Sequence, residues 1–198
     1  MNKEILNKQI QNFIYVNLRI DVNSLLLKKP VFESVTNKEL AEQILAKSKS
    51  KSKLPTWFTA ENIYYPSKIS VEQTSSEQTA AYKSSLVSGE NLIDLTGGFG
   101  VDDYYFSKQF ESIFHCEINE ELSQITAHNF EKLGVKNCRF FVGDGIDFLE
   151  NTQEKFDCIY VDPSRRNEVK GKVSKLFSFN GLPFHIWVAS LHVLHIGQ

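Results

Sequence analysis

Residues 91–103 read NLIDLTGGFGVDD. An apolar run closes on Asp94, the glycines Gly97, Gly98 and Gly100 fall within four positions, and Asp102 and Asp103 follow. Glycines in such a turn supply positive φ and remove side chains, so a ligand can lie against the backbone. A dinucleotide-binding fingerprint requires Gly-x-Gly-x-x-Gly, and Asp103 stands where its third glycine belongs. No Gly-Lys-Ser/Thr follows, which rules out a phosphate-binding P-loop. Three carboxylates would also repel a pyrophosphate. An NAD-type oxidoreductase is therefore disfavoured.

Outward from this turn, strands and helices alternate. NLIDL, SIFHCE, NCRFFVG and FDCIYV read as strands, while VDDYYFSKQF, EELSQITAHNFEKL and DGIDFLEN read as helices. Asn119 caps the long helix and Gly134 stops it. Strands and helices of these lengths predict βαβ units, a parallel sheet and right-handed crossovers. Every strand then delivers its C-terminal end to one rim, where ligands of such folds bind. Asp94, Glu117, Asp144 and Asp162 all fall at those ends. Any one acid there is equally well a helix cap; four in succession argue for a shared ligand. A donor carrying an ammonium and a sulfonium, S-adenosylmethionine, suits them. Glu117 is placed to accept from ribose hydroxyls and Asp144 from an adenine amine.

These residues resemble class I S-adenosylmethionine-dependent methyltransferases. DLTGGFGVD is similar to the family's first motif, FHCEIN to its ribose-binding acid, GDGIDF to its adenine-contacting segment, and IYVDPSRR to the motif after the fourth strand. More narrowly, KSKLPTW, SSEQTAAYK, DLTGGFG and DPSRR in this order resemble a bacterial group of predicted RNA methyltransferases with a helical, THUMP-like N-terminal region. Their catalytic domain is related in kind to trimethylguanosine-synthase-type enzymes. The resemblance implies that Asp94, Thr96, Gly97, Gly98, Gly100, Asp102, Glu117, Asp144 and Asp162 hold the cofactor. It implies catalytic positions at Asp162, Pro163, Ser164 and Arg165, and a segment around Gln78 and Thr79 closing over the methionine end. Amine methylases of this fold usually carry Asp/Asn-Pro-Pro-aromatic at this point. Here Ser164 and Arg165 replace the last two, so Arg165 is expected to stack on a base and Arg166 to fix a phosphate, unless both lie on a solvated loop.

Residues 1–60 read as a helical region, residues 61–175 as the S-adenosylmethionine-binding domain and residues 176–198 as an atypical tail. Ile5, Leu6, Ile10, Phe13, Ile14 and Leu18 recur at helical spacing; Asp21 or Asn23 starts a second helix, and Thr36 or Asn37 a third. KSKSKSK, residues 47–53, reads as a solvated linker or loop, or as a strip whose Lys51 and Lys53 track phosphates. Trp57 and Phe58 beyond it read as a domain-docking pair, with base stacking the other reading. A helix capped by Ser75 or Ser76 runs to about Val87.

The formal charge of −2 does not announce a nucleic-acid binder, so any basic surface is local. Three cysteines make no disulfide framework and read as buried thiols. With no apolar signal-peptide core at the start and no run of about 20 apolar residues, the cytoplasm is the expected location. Only 32 residues follow Arg166, too few for the three further strands this family normally adds. The last 23 residues contain no Asp, Glu, Lys or Arg; their His185, His192 and His195 lack partners for a metal site. We therefore expect an incomplete α/β Rossmann-like sheet of four strands after N-terminal helices. Frameshift or truncation would explain the tail, which is expected to form one strand or helix over the fourth strand. The expected function is RNA methylation, with catalysis weakened by that loss. A non-catalytic RNA-binding scaffold is the alternative.

Overall fold

The strand segments between residues 89 and 161 are short and apolar on both faces, as parallel strands covered from both sides must be. In the computed structural model, which describes residues 1–162 and the backbone of residues 185–188, they form one parallel sheet. β1 (Gly89–Asp94) pairs with β2 (Phe110–Glu117), and β2 with β3 (Cys138–Val142). On its other side β1 pairs with β4 (Cys158–Val161). This is the expected four-strand core in the order 3-2-1-4. A fifth strand, β5 (His185–Val188), lies parallel beyond β4, within the tail expected to cover that edge. Because the chain leaves β1 in one direction and returns as β4 in the other, the order reverses between β1 and β4. The crevice at such a reversal is where open α/β sheets bind ligands.

Helices cover both faces. Between the strands lie α7 (Val101–Phe106), α8 (Glu120–Lys132) and α9 (Gly145–Asn151). Phe106 of α7 packs with Leu92, Ile113 and Tyr160 on one face, joined by Phe130 of α8 against Phe140. On the other face Phe148 of α9 stacks on Phe114 at 4.5 Å, over Ile93, Ile159 and Val161. α7 is shorter than the expected VDDYYFSKQF helix. Ser107 caps it and Phe110 already belongs to β2, paired with Gly89 and buried against Phe106, because burying that ring outweighs another helical turn.

The N-terminal part contains α1 (Lys8–Val16), α2 (Val22–Leu26), α3 (Asn37–Lys53), α4 (Pro55–Thr59), α5 (Lys68–Gln73) and α6 (Glu77–Ser85). Asn7 divides the expected first helix: its side chain caps α1, and a 3-10 turn over Lys3–Leu6 precedes it. Thr36 and Glu39 form a reciprocal capping box that starts α3.

The loop reading of KSKSKSK is corrected. α3 runs unbroken through Lys53, since lysine is a good helix former and tertiary contacts reward the helix. Lys47 is buried beneath the Phe58 and Tyr65 rings, and Ser50 Oγ lies 3.1 Å from the Tyr65 hydroxyl. Trp57 is the docking residue, fully buried beside Phe99 and Tyr104. No helix among the described residues is long and apolar enough to cross a membrane. Cys116 and Cys158 are buried free thiols and Cys138 is half-buried.

Two amide side chains lock the helical region to the sheet. Asn129 of α8 accepts from the Tyr64 N–H at 2.9 Å and donates to the Tyr64 carbonyl at 2.8 Å. Gln43 of α3 does the same to Tyr65, at 3.0 and 2.6 Å. An extended dipeptide outside any sheet thus has its buried polar groups satisfied. Asn129→Ala strips both partners from the Tyr64 peptide. We expect a loss of about 1–3 kcal/mol for each stranded group, read as a lower urea midpoint at unchanged slope.

Candidate active site

The rim at the C-terminal ends of the strands is built around the turn after β1. Asp94 Oδ1 accepts from the Thr96 N–H at 2.7 Å and the Thr96 hydroxyl at 3.1 Å, and the residue is only 2% exposed. The turn then rises over β2, with the Gly97 N–H donating to the Cys116 carbonyl. A Cβ on Gly97 would stand 2.2 Å from the His115 ring, so the imidazole fills the underside of the turn. Gly98, at φ +59°, is the open residue of the cradle: a Cβ there would meet only the Thr96 carbonyl, at 3.6 Å. Its N–H donates to Glu117 Oε2 at 3.0 Å, while Glu117 Oε1 accepts from Asn119 N–H at 2.7 Å. Glu117 retains lone pairs for further donors. Gly100, at φ +73°, starts α7 with no room for a side chain against Thr126 and Phe130.

Asp144 caps α9 through the Ile146 and Asp147 N–H groups. Asp162 follows β4, and its own N–H donates to the Thr96 hydroxyl at 2.8 Å, tying the β4 tip to the glycine turn. Asp102 Oδ1 is buried without a hydrogen-bond partner among the described residues. Asp94, Thr96, Gly97, Gly98, Gly100, Asp102, Glu117, Asp144 and Asp162 are thus carried by the strand ends and turns of one rim. Pro163, Ser164, Arg165 and Arg166 lie outside the described residues. Lys51 is exposed on α3, and Lys53 Nζ donates to the Val71 and Glu72 carbonyls near the end of α5, at 3.1 and 2.6 Å.

His115, Lys83 and Tyr160, to which sequence reading assigned no role, complete the arrangement. His115 Nδ1 lies 2.6 Å from Asp103 Oδ2, with both side chains fully buried. Lys83, at the end of α6, places Nζ 2.9 Å from Asp162 Oδ2, 3.3 Å from Asp102 Oδ2, 2.7 Å from the Tyr160 hydroxyl and 2.9 Å from Ser75 Oγ. In sequence, Lys83 is merely a cation suited to the last turn of a helix. Its partners Asp162 and Tyr160 lie 79 and 77 positions away.

Burial pushes Asp94 and Asp103 well above the usual carboxylate range, each with a neighbouring acid adding to the rise, and pushes His115 down. Burial thus favours the uncharged form of each member of the Asp103–His115 pair. Burial also raises Asp102, which the Lys83 ammonium opposes.

A carboxyl whose folded pKa lies above its ordinary value of 3.8 contributes stability that is complete below that value. The contribution is lost as pH rises from there through the folded pKa, at up to about 1.4 kcal/mol per pH unit between the two values, and no further loss follows above the folded pKa. The depressed His115 works in the other direction, its contribution being lost as pH falls below 6.5. Asp103→Asn cannot ionise, and its amide N–H can donate to His115 Nδ1. Thermal melts from pH 5 to pH 9 should show the variant gaining on the wild type as pH rises, by a few degrees. A constant difference across that range would contradict the raised Asp103 carboxyl.

No protein-family model matches the chain. Among solved structures, it is similar to the crystal structure of a "putative methyltransferase" from Porphyromonas gingivalis W83, with a TM-score of 0.70 and 30% identity over 83% of this chain and 41% of that one. It also matches the crystal structure of precorrin 8w decarboxylase from Methanobacterium thermoautotrophicum, with a TM-score of 0.50 and 14% identity over 61% of this chain and 66% of that one, a likeness of fold alone. A 77-residue stretch, 39% of this chain, is 31% identical to an uncharacterized RNA methyltransferase of Mycoplasma mobile. The chain spans 41% of the Porphyromonas structure, and the matched stretch 21% of the Mycoplasma protein. Strand order, the glycine turn and these likenesses agree: the chain carries the class I methyltransferase fold, behind a set of N-terminal helices.

Proposed function

We propose that the chain is the S-adenosylmethionine-binding part of an RNA methyltransferase. The observation that carries this reading is the set of acids at the strand ends and turns of one rim: Glu117, which accepts from the Gly98 N–H, with Asp144, Asp102 and Asp162. Such a set fits a ligand that offers ribose hydroxyls, an adenine amine, an ammonium and a sulfonium. The buried Oδ1 of Asp102, an acceptor without a donor among the described residues, fits it for the same reason. The similarity to an RNA methyltransferase of Mycoplasma mobile supports the polynucleotide half of the reading.

On this reading Glu117 holds the ribose and Asp144 the adenine amine. Asp94 acts one step removed, by fixing Thr96 and hence the turn. Thr96 in turn bonds the Asp162 N–H, so the β4 tip and the cofactor cradle keep one geometry. When bound, the donor supplies an activated methyl group, so the chain's task is alignment rather than activation. Asp162 orients an amine acceptor, and Pro163, Ser164, Arg165 and Arg166 keep the roles that the resemblance implies for them, base stacking for Arg165 and phosphate binding for Arg166. Lys51 is an exposed cation available to an RNA backbone, while Lys53 reaches it only by leaving the α5 carbonyls.

Thermal denaturation with S-adenosylmethionine and with NAD separates the cofactor classes. A ligand at 100 times its Kd adds about 2.7 kcal/mol, a rise of roughly 5–10 °C for a chain of this size. That rise is expected for S-adenosylmethionine and not for NAD; the reverse pattern would sink the proposal. Transfer of labelled methyl groups to total cellular RNA is expected to fall about 100-fold in Asp162→Ala, the cost of a misplaced reacting group. Donor binding with no transfer by the wild type would instead make the chain a scaffold that has kept the fold.

A further inference from the structure

Resting on that reading, we propose that Lys83 is a specificity-determining residue: its fixed ammonium reduces the site's preference for the positively charged donor, S-adenosylmethionine, over the uncharged-sulfur product, S-adenosylhomocysteine. The geometry is that of a counter-ion built into the rim. Nζ lies 2.9 Å from Asp162 and 3.3 Å from Asp102, with the lysine side chain 16% exposed and Asp102 13% exposed. Ser75 Oγ and the Tyr160 hydroxyl hold the ammonium from two further sides, and the Tyr160 ring centroid lies 5.4 Å away. Two acids and one ammonium leave this part of the rim with a single net negative charge. Asp94 and Asp103 are buried beneath this part of the rim, where burial favours their uncharged forms.

The two ligands differ at one place. Methyl transfer breaks the C–S bond with its electron pair staying on sulfur, so a sulfonium becomes a neutral thioether while the acceptor nitrogen uses its lone pair to form the new bond. Adenine, ribose, ammonium and carboxylate are common to both. A rim of two uncompensated carboxylates would therefore favour donor over product. The Lys83 charge cancels about half of that bias, which helps the product leave. A lysine acting only as a strut between α6, α7 and β4 would affect both ligands alike.

Titration calorimetry on the full chain measures both dissociation constants at pH 8.5, on the alkaline side because burial raises Asp102 and Lys83 opposes that rise. Lys83→Met is expected to raise the preference for S-adenosylmethionine over S-adenosylhomocysteine by roughly three- to tenfold, the range Coulomb's law gives for one unit charge near a protein surface. The gain should shrink with added salt. Lys83→Arg should restore the wild-type ratio, and Asp102→Asn should move it the opposite way, which keeps the test available if Lys83→Met does not fold. Equal changes in both constants, leaving the ratio within twofold of wild type, would overturn the assignment while the donor reading stands. Failure of the wild type to bind either compound would overturn both.

Discussion

A parallel sheet that ends four strands on acids gathers negative charge at one edge, and the rest of the structure answers that constraint. The compensation differs from acid to acid. Asp94 takes hydrogen bonds from Thr96, and its burial raises its carboxyl well above the usual range. Asp103 meets His115, Glu117 accepts two backbone N–H groups, and Asp144 sits on a helix N-terminus. Asp102 and Asp162 share one lysine. Burial favours the uncharged form of the acids pointing into the protein, Asp94 and Asp103. A rim sorted in this way offers a cationic ligand a directed rather than a diffuse field.

The lysine comes from outside the sheet, which gives the N-terminal helices a part in the site. α6 is anchored by Glu77, whose Oε1 accepts from the Thr56 N–H at 2.6 Å and whose Oε2 accepts from the Thr56 and Tyr105 hydroxyls at 2.7 and 2.8 Å. Lys53 holds the end of α5, two residues before Ser75 reaches Asp102. Trp57 is wedged between these helices and the glycine turn by way of Phe99. Movement of the helical region therefore reaches Ser75, Lys83 and the rim directly. One hydrophobic core extends from Ile5 and Leu40 through Trp57 to Phe99, Val101 and Ile125, so helices and turn pack as a unit.

Much of this was legible in the sequence where local chemistry decides the outcome. The glycine turn, the strand ends with their acids and the caps at Thr36, Ser76 and Asn119 follow from patterns a few residues long. KSKSKSK was illegible because its helix is held from outside the motif, by rings at Phe58 and Tyr65 that come close only in the fold. The end of α7 depended on what Phe110 packs against. Lys83 closes the SSEQTAAYK stretch but its role was illegible there, because a lysine ending a helix looks the same with or without carboxylates above it. Pattern reading thus recovered the framework and the acids, and missed the positive charge that balances them.

The buried layer beneath the turn explains why such an arrangement holds its shape. Asp103 Oδ1 and His115 Nε2 are buried without hydrogen-bond partners among the described residues, a state that ordinarily costs stability. In return His115 fills the space that any side chain at Gly97 would need, so the turn cannot sink towards the sheet. Asp103 occupies the third-glycine position of a dinucleotide site, where that fold uses a small residue for close helix–strand packing. Here a hydrogen-bonded Asp–His pair fills the same helix–strand gap. The missing glycine is thus more than the loss of a motif: it marks a turn propped from below by polar groups, with Gly98 left as its open surface.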